Sequence, residues 1–179
     1  MKRKNLLRIV LLGLAIGIGI VLLARPFQKS HEPLEKGQRL YRDGKYEEAV
    51  AFYRSEIDAH PSDIAASAEL GRALIALKRY EEAILHLRYT VKKIPSAMDD
   101  WQMLGEAYLS FRHPKEAADA FQHVLALEPT RVHTHLLLGQ AYDGMGLKNE
   151  AVTEWKQVIA LDPHNEGPLA QKLINLQRR

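Results

Sequence analysis

The sequence predicts an all-α protein: an α-solenoid of four helix-turn-helix units with a C-terminal capping helix, preceded by one N-terminal transmembrane helix. The first observation is a 34-residue period, because glycines recur at positions 37, 71, 105 and 139, alanines at 49, 83, 117 and 151, and prolines at 61, 95, 129 and 163. The second is that apolar residues between these positions follow the three-and-four spacing of a buried helical stripe. The third is a long apolar run behind a basic start. Stacked helical hairpins of this kind bury against one another the apolar faces that a single hairpin leaves exposed to water.

The apolar run at the N-terminus predicts a membrane segment over residues 1–25. No polar side chain occurs between Ile9 and Ala24, and the stretch from Leu6 to Ala24 contains nineteen residues. Nineteen helical residues reach about 28 Å, close to the hydrocarbon thickness of about 30 Å. We expect an uncleaved signal anchor; a cleaved signal peptide and a buried soluble helix are the alternatives.

The distribution of basic residues predicts how this segment is oriented. Four basic residues and no acid precede the apolar run. Such a tail stays in the cytoplasm. The segment then lies in a bacterial inner membrane, and residues 26–179 lie in the periplasm. Gly13 and Gly17 lie on one face of the predicted helix and permit close packing of a second transmembrane helix. The alternative is that glycine is simply common in membrane helices.

Charge and composition exclude several function classes. Five of the 25 basic residues lie in residues 1–25, so residues 26–179 carry 20 basic and 22 acidic side chains, a net charge of −2. Nucleic-acid binding needs a basic surplus and is not expected. The chain has no cysteine and no phosphate-binding glycine loop, and His133 and His135 point about 200° apart on a helix, so they cannot share an ion. We therefore expect no enzyme, no cofactor, no metal and no small-molecule substrate.

One unit carries a distinctive residue pattern, and the recurrence of this pattern sets the predicted domain boundaries. Residues 98–131 contain the following pattern: Trp101, Leu104, Gly105, Tyr108, Ala117, Phe121 and Pro129. This pattern resembles the tetratricopeptide repeat, as found in membrane-anchored bacterial proteins. The predicted organisation is a signal anchor at 1–25, a linker at 26–29, four repeats at 30–63, 64–97, 98–131 and 132–165, and a capping helix at 166–179. In the last segment, Leu169, Leu173 and Leu176 are the expected buried stripe; a partner-binding helix is the alternative.

The resemblance implies a peptide-binding groove lined by the first helix of each repeat. The family's groove positions correspond here to Leu34, Gln38, Tyr41, Arg72, Ile75, Gln102, Glu106, Leu109, Leu136, Gln140 and Asp143. For Ile75 and Leu109, packing between neighbouring helices is an alternative role. The Lys and Asn residues with which chaperone-binding members grip a C-terminal carboxylate are absent, so a cytosolic co-chaperone is not expected.

These features predict a membrane-anchored protein–protein interaction scaffold that binds peptide segments of partner proteins. Anchored relatives of this layout assist assembly of envelope complexes, such as cytochrome c maturation, pilus or secretion machinery. Two alternatives remain open. One is a holdase-like periplasmic chaperone with broad client binding, and the other is a purely structural homo-oligomer.

Overall fold

The computed structural model describes residues 31–164 and 166–177. Residues 37–179 form one compact unit, and residues 1–36 form another, of which only the start of the first helix is described. The predicted anchor at 1–25, its packing residues Gly13 and Gly17, and the linker at 26–29 lie outside the described residues and stay predictions. Among the described helices, none is both long and apolar enough to cross a membrane.

The described part of the chain contains nine α-helices and no strand. They are α1 (His31–Arg42), α2 (Tyr46–Ala59), α3 (Ile64–Ala76), α4 (Tyr80–Lys93), α5 (Met98–Ser110), α6 (Pro114–Leu127), α7 (Val132–Gly144), α8 (Lys148–Leu161) and α9 (Gly167–Gln177). The all-α solenoid of two-helix repeats predicted from the sequence is therefore confirmed.

The helices pack only against their neighbours in the chain and in the stack. Helix pairs α3/α4, α5/α6 and α7/α8 each form one unit, and the second helix of a unit packs on the first helix of the next. The first helices of successive units also meet, α3 with α5 and α5 with α7. The first helices thus form one continuous face, on which residues from different units lie side by side.

Within each unit, a glycine on the first helix faces a large buried side chain on the second, sixteen residues later. Gly37 faces Tyr53, Gly71 faces Leu87, Gly105 faces Phe121 and Gly139 faces Trp155. All four large side chains are fully buried. The 34-residue glycine period therefore marks the points where the two helices of each unit come closest, because no space remains there for a Cβ atom.

The turn inside each unit has the same geometry four times. The left-handed backbone position falls at Gly44, Lys78, Arg112 and Gly146, with φ of +75°, +59°, +62° and +78°. In the third unit the amide of Arg112 donates to the carbonyl of Leu109 at 3.1 Å, and the amide of His113 donates to that of Tyr108 at 2.9 Å. This pair of bonds is the Schellman motif that ends a helix. Glycine occupies the strained position in two units, and a long basic side chain does so in the other two.

The C-terminal helix α9 packs on α8, but through a different face from the one the sequence suggested. Ala170 and Ile174 are buried there and Leu173 is half-buried, whereas Leu169 and Leu176 are 45% and 56% exposed. The expected stripe of three leucines is therefore wrong at two of its positions. The buried set, Ala170, Leu173 and Ile174, follows i, i+3, i+4 spacing and includes an alanine, which the predicted stripe of leucines left out.

Candidate peptide-binding cleft on the first-helix face

A cleft of about 290 Å³ opens on the face formed by the first helices. It is lined by Tyr41, Arg72, Ile75, Asp99, Gln102, Met103 and Glu106, from helices α1, α3 and α5. Five of the eleven groove residues predicted from the sequence line this cleft: Tyr41, Arg72, Ile75, Gln102 and Glu106. Side chains from three successive repeats thus meet at one site, as a segment crossing several repeats requires.

The apolar part of the lining comes from one residue of each contributing helix. Tyr41, Ile75 and Met103 are all half-buried, so each presents part of its side chain to solvent. The ring of Tyr41 lies 5.1 Å from that of Tyr46, centroid to centroid, which restricts its orientation. These three side chains together provide the apolar surface of the cleft.

Beside the apolar lining, an acidic residue of α3 holds polar groups from two units together. The Gln38 amide donates to Glu69 Oε1 at 2.9 Å. Arg72 Nε lies 3.5 Å from Glu69 Oε2, and the Glu69 side chain is only 15% exposed. The carboxylate of Glu69 therefore compensates the positive charge of Arg72 at the cleft wall.

A second polar chain runs beneath the cleft from α7 to α5. The Thr134 hydroxyl donates to Gln102 Oε1 at 2.7 Å, and Gln102 Nε2 donates to Glu106 Oε1 at 2.8 Å. Gln102 is 7% exposed and Thr134 is fully buried. Because a carboxylate only accepts hydrogen bonds, the amide nitrogen of Gln102 faces Glu106 and its oxygen faces the Thr134 hydroxyl, so the chain of bonds holds the Glu106 carboxylate from below.

At the rim of the cleft, Asp99 forms an ion pair with Arg131, with 3.0 Å between Oδ1 and Nη2. The neighbouring Asp100 is half-buried, and this burial raises the pKa of its carboxyl above the usual range. A hydrogen bond from Thr90 and the charge of Arg72 act in the opposite direction and reduce the rise. The charged groups around the cleft are thus mostly paired within the protein.

The remaining predicted groove residues lie outside this cleft. Leu34 and Gln140 are half-buried, and Asp143 is exposed on α7. Leu109 packs against the core that joins the third and fourth units, so the alternative packing role applies to this residue. For Ile75, in contrast, the structure provides an open position in the cleft.

Leu136 is the one predicted groove residue that the structure moves into the core. It is 4% exposed and packs in a cluster with Trp155 and Val158 of α8 and Ala170 and Ile174 of α9. Its assignment to the groove surface is wrong, because the C-terminal helix contributes to the cluster that covers this position.

Sequence analysis did not assign Met103, Glu69 and Thr134 to the site. Met103 follows Gln102 on α5 and completes the apolar wall, while Glu69 and Thr134 support the polar residues from below. For Thr134, the repeat frame carried a usable signal. The equivalent position two periods earlier, Ala66 of the second repeat, is also buried, and a polar side chain at a buried position requires a partner.

The histidines of α7 have separate structural partners. His135 lies 2.7 Å from Glu154 through Nδ1 and 2.9 Å from the Pro129 carbonyl through Nε2. His133 lies 3.1 Å from Glu166. Among the described residues, no group of three or more potential ligands is arranged to hold a metal ion. The residues that line the cleft offer apolar contact, hydrogen bonds and charge.

A second cleft of about 380 Å³ lies on the other side of the array, between α4, α5 and α6. Its aromatic wall is the Trp101 indole stacked on the His123 ring, with 4.1 Å between centroids. The Trp101 indole N–H donates to the Pro95 carbonyl at 2.9 Å, so this side chain also joins two units. Arg88 on α4 is part of the lining and provides a reference position away from the first-helix face.

Comparison with known families identifies the repeats. Two family models, both described as tetratricopeptide repeat, match residues 34–97 and residues 101–131 and 132–165. Together they match well over half of the chain. The chain belongs to the tetratricopeptide repeat family, whose fold is an interaction scaffold for other proteins.

Solved structures with the same fold include several of MamA. One crystal structure of MamA is 23% identical, with a TM-score of 0.74 over 79% of this chain and 81% of that chain. A second has a TM-score of 0.76 at 23% identity, over 81% of this chain and 78% of that chain. A MamA RS-1 ArsTM double mutant has a TM-score of 0.75 at 23% identity, over 83% of this chain and 84% of that chain. At this identity the similarity concerns the fold alone. The search of curated proteins found no match.

Proposed function

We propose that this chain is a non-enzymatic interaction scaffold whose first-helix cleft binds a peptide segment of a partner protein. The observation that carries the proposal is the cleft itself. Its three half-buried apolar side chains, Tyr41, Ile75 and Met103, come from three successive repeats and lie beside hydrogen-bonded polar groups. Surfaces of this composition bind a segment by burying one or two anchors while the polar groups fix its direction.

The N-terminal sequence supports a location for this scaffold. Residues 1–25 form, in this proposal, a single transmembrane helix of a bacterial inner membrane, with the N-terminus cytoplasmic and the repeats periplasmic. The scaffold then assists assembly of an envelope or membrane complex, since a tethered domain meets membrane partners at a raised local concentration. Systems such as cytochrome c maturation, pilus or secretion machinery supply partners of this kind.

The binding site is tested by site-specific photocrosslinking in membranes. The full-length chain carries a photoreactive residue in place of Ile75, and a matched variant carries it in place of Arg88 on the opposite side. We expect one dominant partner to be labelled from position 75 and not from position 88. Equal labelling from both positions, or none from position 75, contradicts the cleft as the binding site.

The same experiment separates the two alternative functions. Diffuse labelling of many clients from position 75 supports the holdase, which binds exposed apolar segments without selecting one partner. A labelled product of twice the chain's own mass supports the homo-oligomer. In that case, replacing both Gly13 and Gly17 by isoleucine shows whether the predicted transmembrane packing face contributes, because the larger side chains block close helix contact.

The location is tested by cysteine labelling, which the chain permits because it contains no native cysteine. Asp58→Cys places a thiol at an exposed position of α2, and Asn5→Cys places one before the apolar run. A maleimide that passes the outer membrane but not the inner one should label position 58 in intact cells and spare position 5. Labelling of neither position before lysis contradicts the periplasmic location.

A further inference from the structure

Among the charged residues that line the first-helix cleft, one acidic residue has no ion-pair partner in the described part of the chain. Arg72 is paired with Glu69, and Asp99 is paired with Arg131. Glu106 also lines the cleft, but no arginine or lysine among the described residues forms an ion pair with it. The cleft therefore carries a net negative charge at its α5 side, and this charge belongs to the Glu106 carboxylate.

The hydrogen-bond chain from α7 holds this carboxylate in place. The Thr134 hydroxyl donates to the amide oxygen of Gln102, and Gln102 Nε2 donates to Glu106 Oε1 at 2.8 Å. Within the described residues, the other carboxylate oxygen of Glu106 accepts no hydrogen bond. A half-buried carboxylate with an unused oxygen favours a cationic partner, because burial weakens its hydration and leaves that oxygen available for a charge-assisted hydrogen bond.

The surroundings of Glu106 determine what else the partner must carry. Tyr41, Ile75 and Met103 line the same cleft, so an apolar side chain next to the cation finds a surface to bury. The Tyr41 ring also provides a face on which an ammonium or guanidinium group is stabilised. An acidic segment meets the opposite situation, because the charge of Arg72 is already compensated by Glu69.

We propose that the cleft selects a partner segment in which a lysine or arginine lies close in sequence to an apolar residue. The cation pairs with Glu106, and the apolar side chain packs on Ile75 and Met103. In an extended segment, side chains two residues apart point to the same side and are separated by about 7 Å, so such a pair presents its cation and its apolar group to the cleft together. The inference rests on the proposed function and adds the chemistry of the partner to it.

A peptide array tests the inference with the full-length chain in detergent. Each spot carries a short peptide with one fixed leucine and, two residues away, a lysine, an arginine, a norleucine or a glutamate; all other positions are randomised. We expect the basic spots to retain about tenfold more protein than the glutamate spots. This is the factor in affinity that one charge-assisted hydrogen bond provides. Norleucine separates the effect of charge from that of apolar length.

Variants of the acidic residue decide the cause of this preference. Glu106→Gln keeps the shape and the bond from Gln102, and it should abolish the excess on basic spots; Glu106→Lys should invert it. Asp58→Asn, an equal charge change at an exposed position of α2, should leave the excess intact. The inference is wrong if wild-type protein shows no excess on basic spots, or if the excess survives in Glu106→Gln.

The two proposals fail in different ways. If partner labelling from position 75 persists while the array shows no charge preference, the peptide-binding function stands and the basic motif is wrong. If labelling from position 75 is also absent, both fail together. If Glu106→Gln removes labelling of a natural partner while Asp58→Asn does not, the same carboxylate acts on the natural partner and the inference is supported in membranes.

Discussion

Replacing the glycines of the helix contacts by alanine should destabilise the protein to different degrees. At Gly139, an added methyl group would overlap the indole of Trp155, which is fully buried and rigid. At Gly71 it would lie 2.8 Å from Cγ of Leu87, a flexible side chain. Overpacking costs about 1 to 3 kcal/mol, whereas the higher helix propensity of alanine over glycine stabilises the helix by about 1 kcal/mol. We expect a net loss of about 2 kcal/mol for Gly139→Ala and about 0 to 1 kcal/mol for Gly71→Ala.

Urea unfolding of the full-length chain in detergent, followed by far-ultraviolet circular dichroism, measures these losses. The comparison is valid where the slope of the unfolding free energy against urea is unchanged. Trp155→Leu reproduces in the fourth unit the Leu87 contact of the second. Adding it to Gly139→Ala should remove most of the overlap, so the double variant should be more stable than additivity predicts, by about 1 kcal/mol or more.

Two results would refute this reasoning. Equal losses for Gly71→Ala and Gly139→Ala would show that the size and rigidity of the facing side chain do not determine the cost. Strict additivity of Gly139→Ala and Trp155→Leu would show that the two positions do not compete for the same space. Either result would remove the steric explanation for the glycine period.

Three further predictions concern single positions and are checked by the same unfolding measurement. Tyr53→Phe should raise stability by about 1 kcal/mol, because the buried hydroxyl has no hydrogen-bond partner among the described residues. The same burial raises the pKa of the Tyr53 hydroxyl well above its usual range. A loss of stability in this variant would show that the hydroxyl has a partner. Arg112→Gly should gain about 0.5 to 1 kcal/mol by relieving a non-glycine residue at φ +62°, and a loss would mean that its side chain contributes elsewhere. Asp100→Asn should stabilise the protein at neutral pH. The raised pKa of Asp100 means that the folded state holds its proton more tightly than the unfolded state does, so wild-type stability increases as pH falls through that pKa, and the difference from the variant shrinks in acid; a difference that does not change with pH contradicts the assignment.

The repeat frame could be predicted from sequence because it depends on residues that tolerate few substitutes. Glycine at the helix contact and proline after the second helix are required by space and by backbone geometry, so their period is visible. The left-handed turns show the limit of this approach. Gly44 and Gly146 indicate such a position, whereas Lys78 and Arg112 adopt it without any signal in their residue type.

The site could be predicted only in part, because it depends on which side chains pair. Equivalent positions along the first helices give the correct neighbourhood for Tyr41, Arg72 and Ile75. The pairing of Gln102 with Thr134, and the burial of Leu136 by the last two helices, depend on rotamers and on the packing of the array's end. A periodic pattern treats all units alike, and therefore misses what distinguishes the terminal unit from the interior ones.

The contact pattern of the helices also bears on how such a protein changes length in evolution. Each unit contacts only the units beside it, and every described unit turns through the same left-handed geometry. Duplicating one whole block of 34 residues would therefore add one interface of an existing kind and break none. A shorter insertion inside a helix would shift every later glycine out of register with its facing side chain. The length of the helical array is therefore adjustable in steps of one repeat, while the interior of each repeat stays fixed.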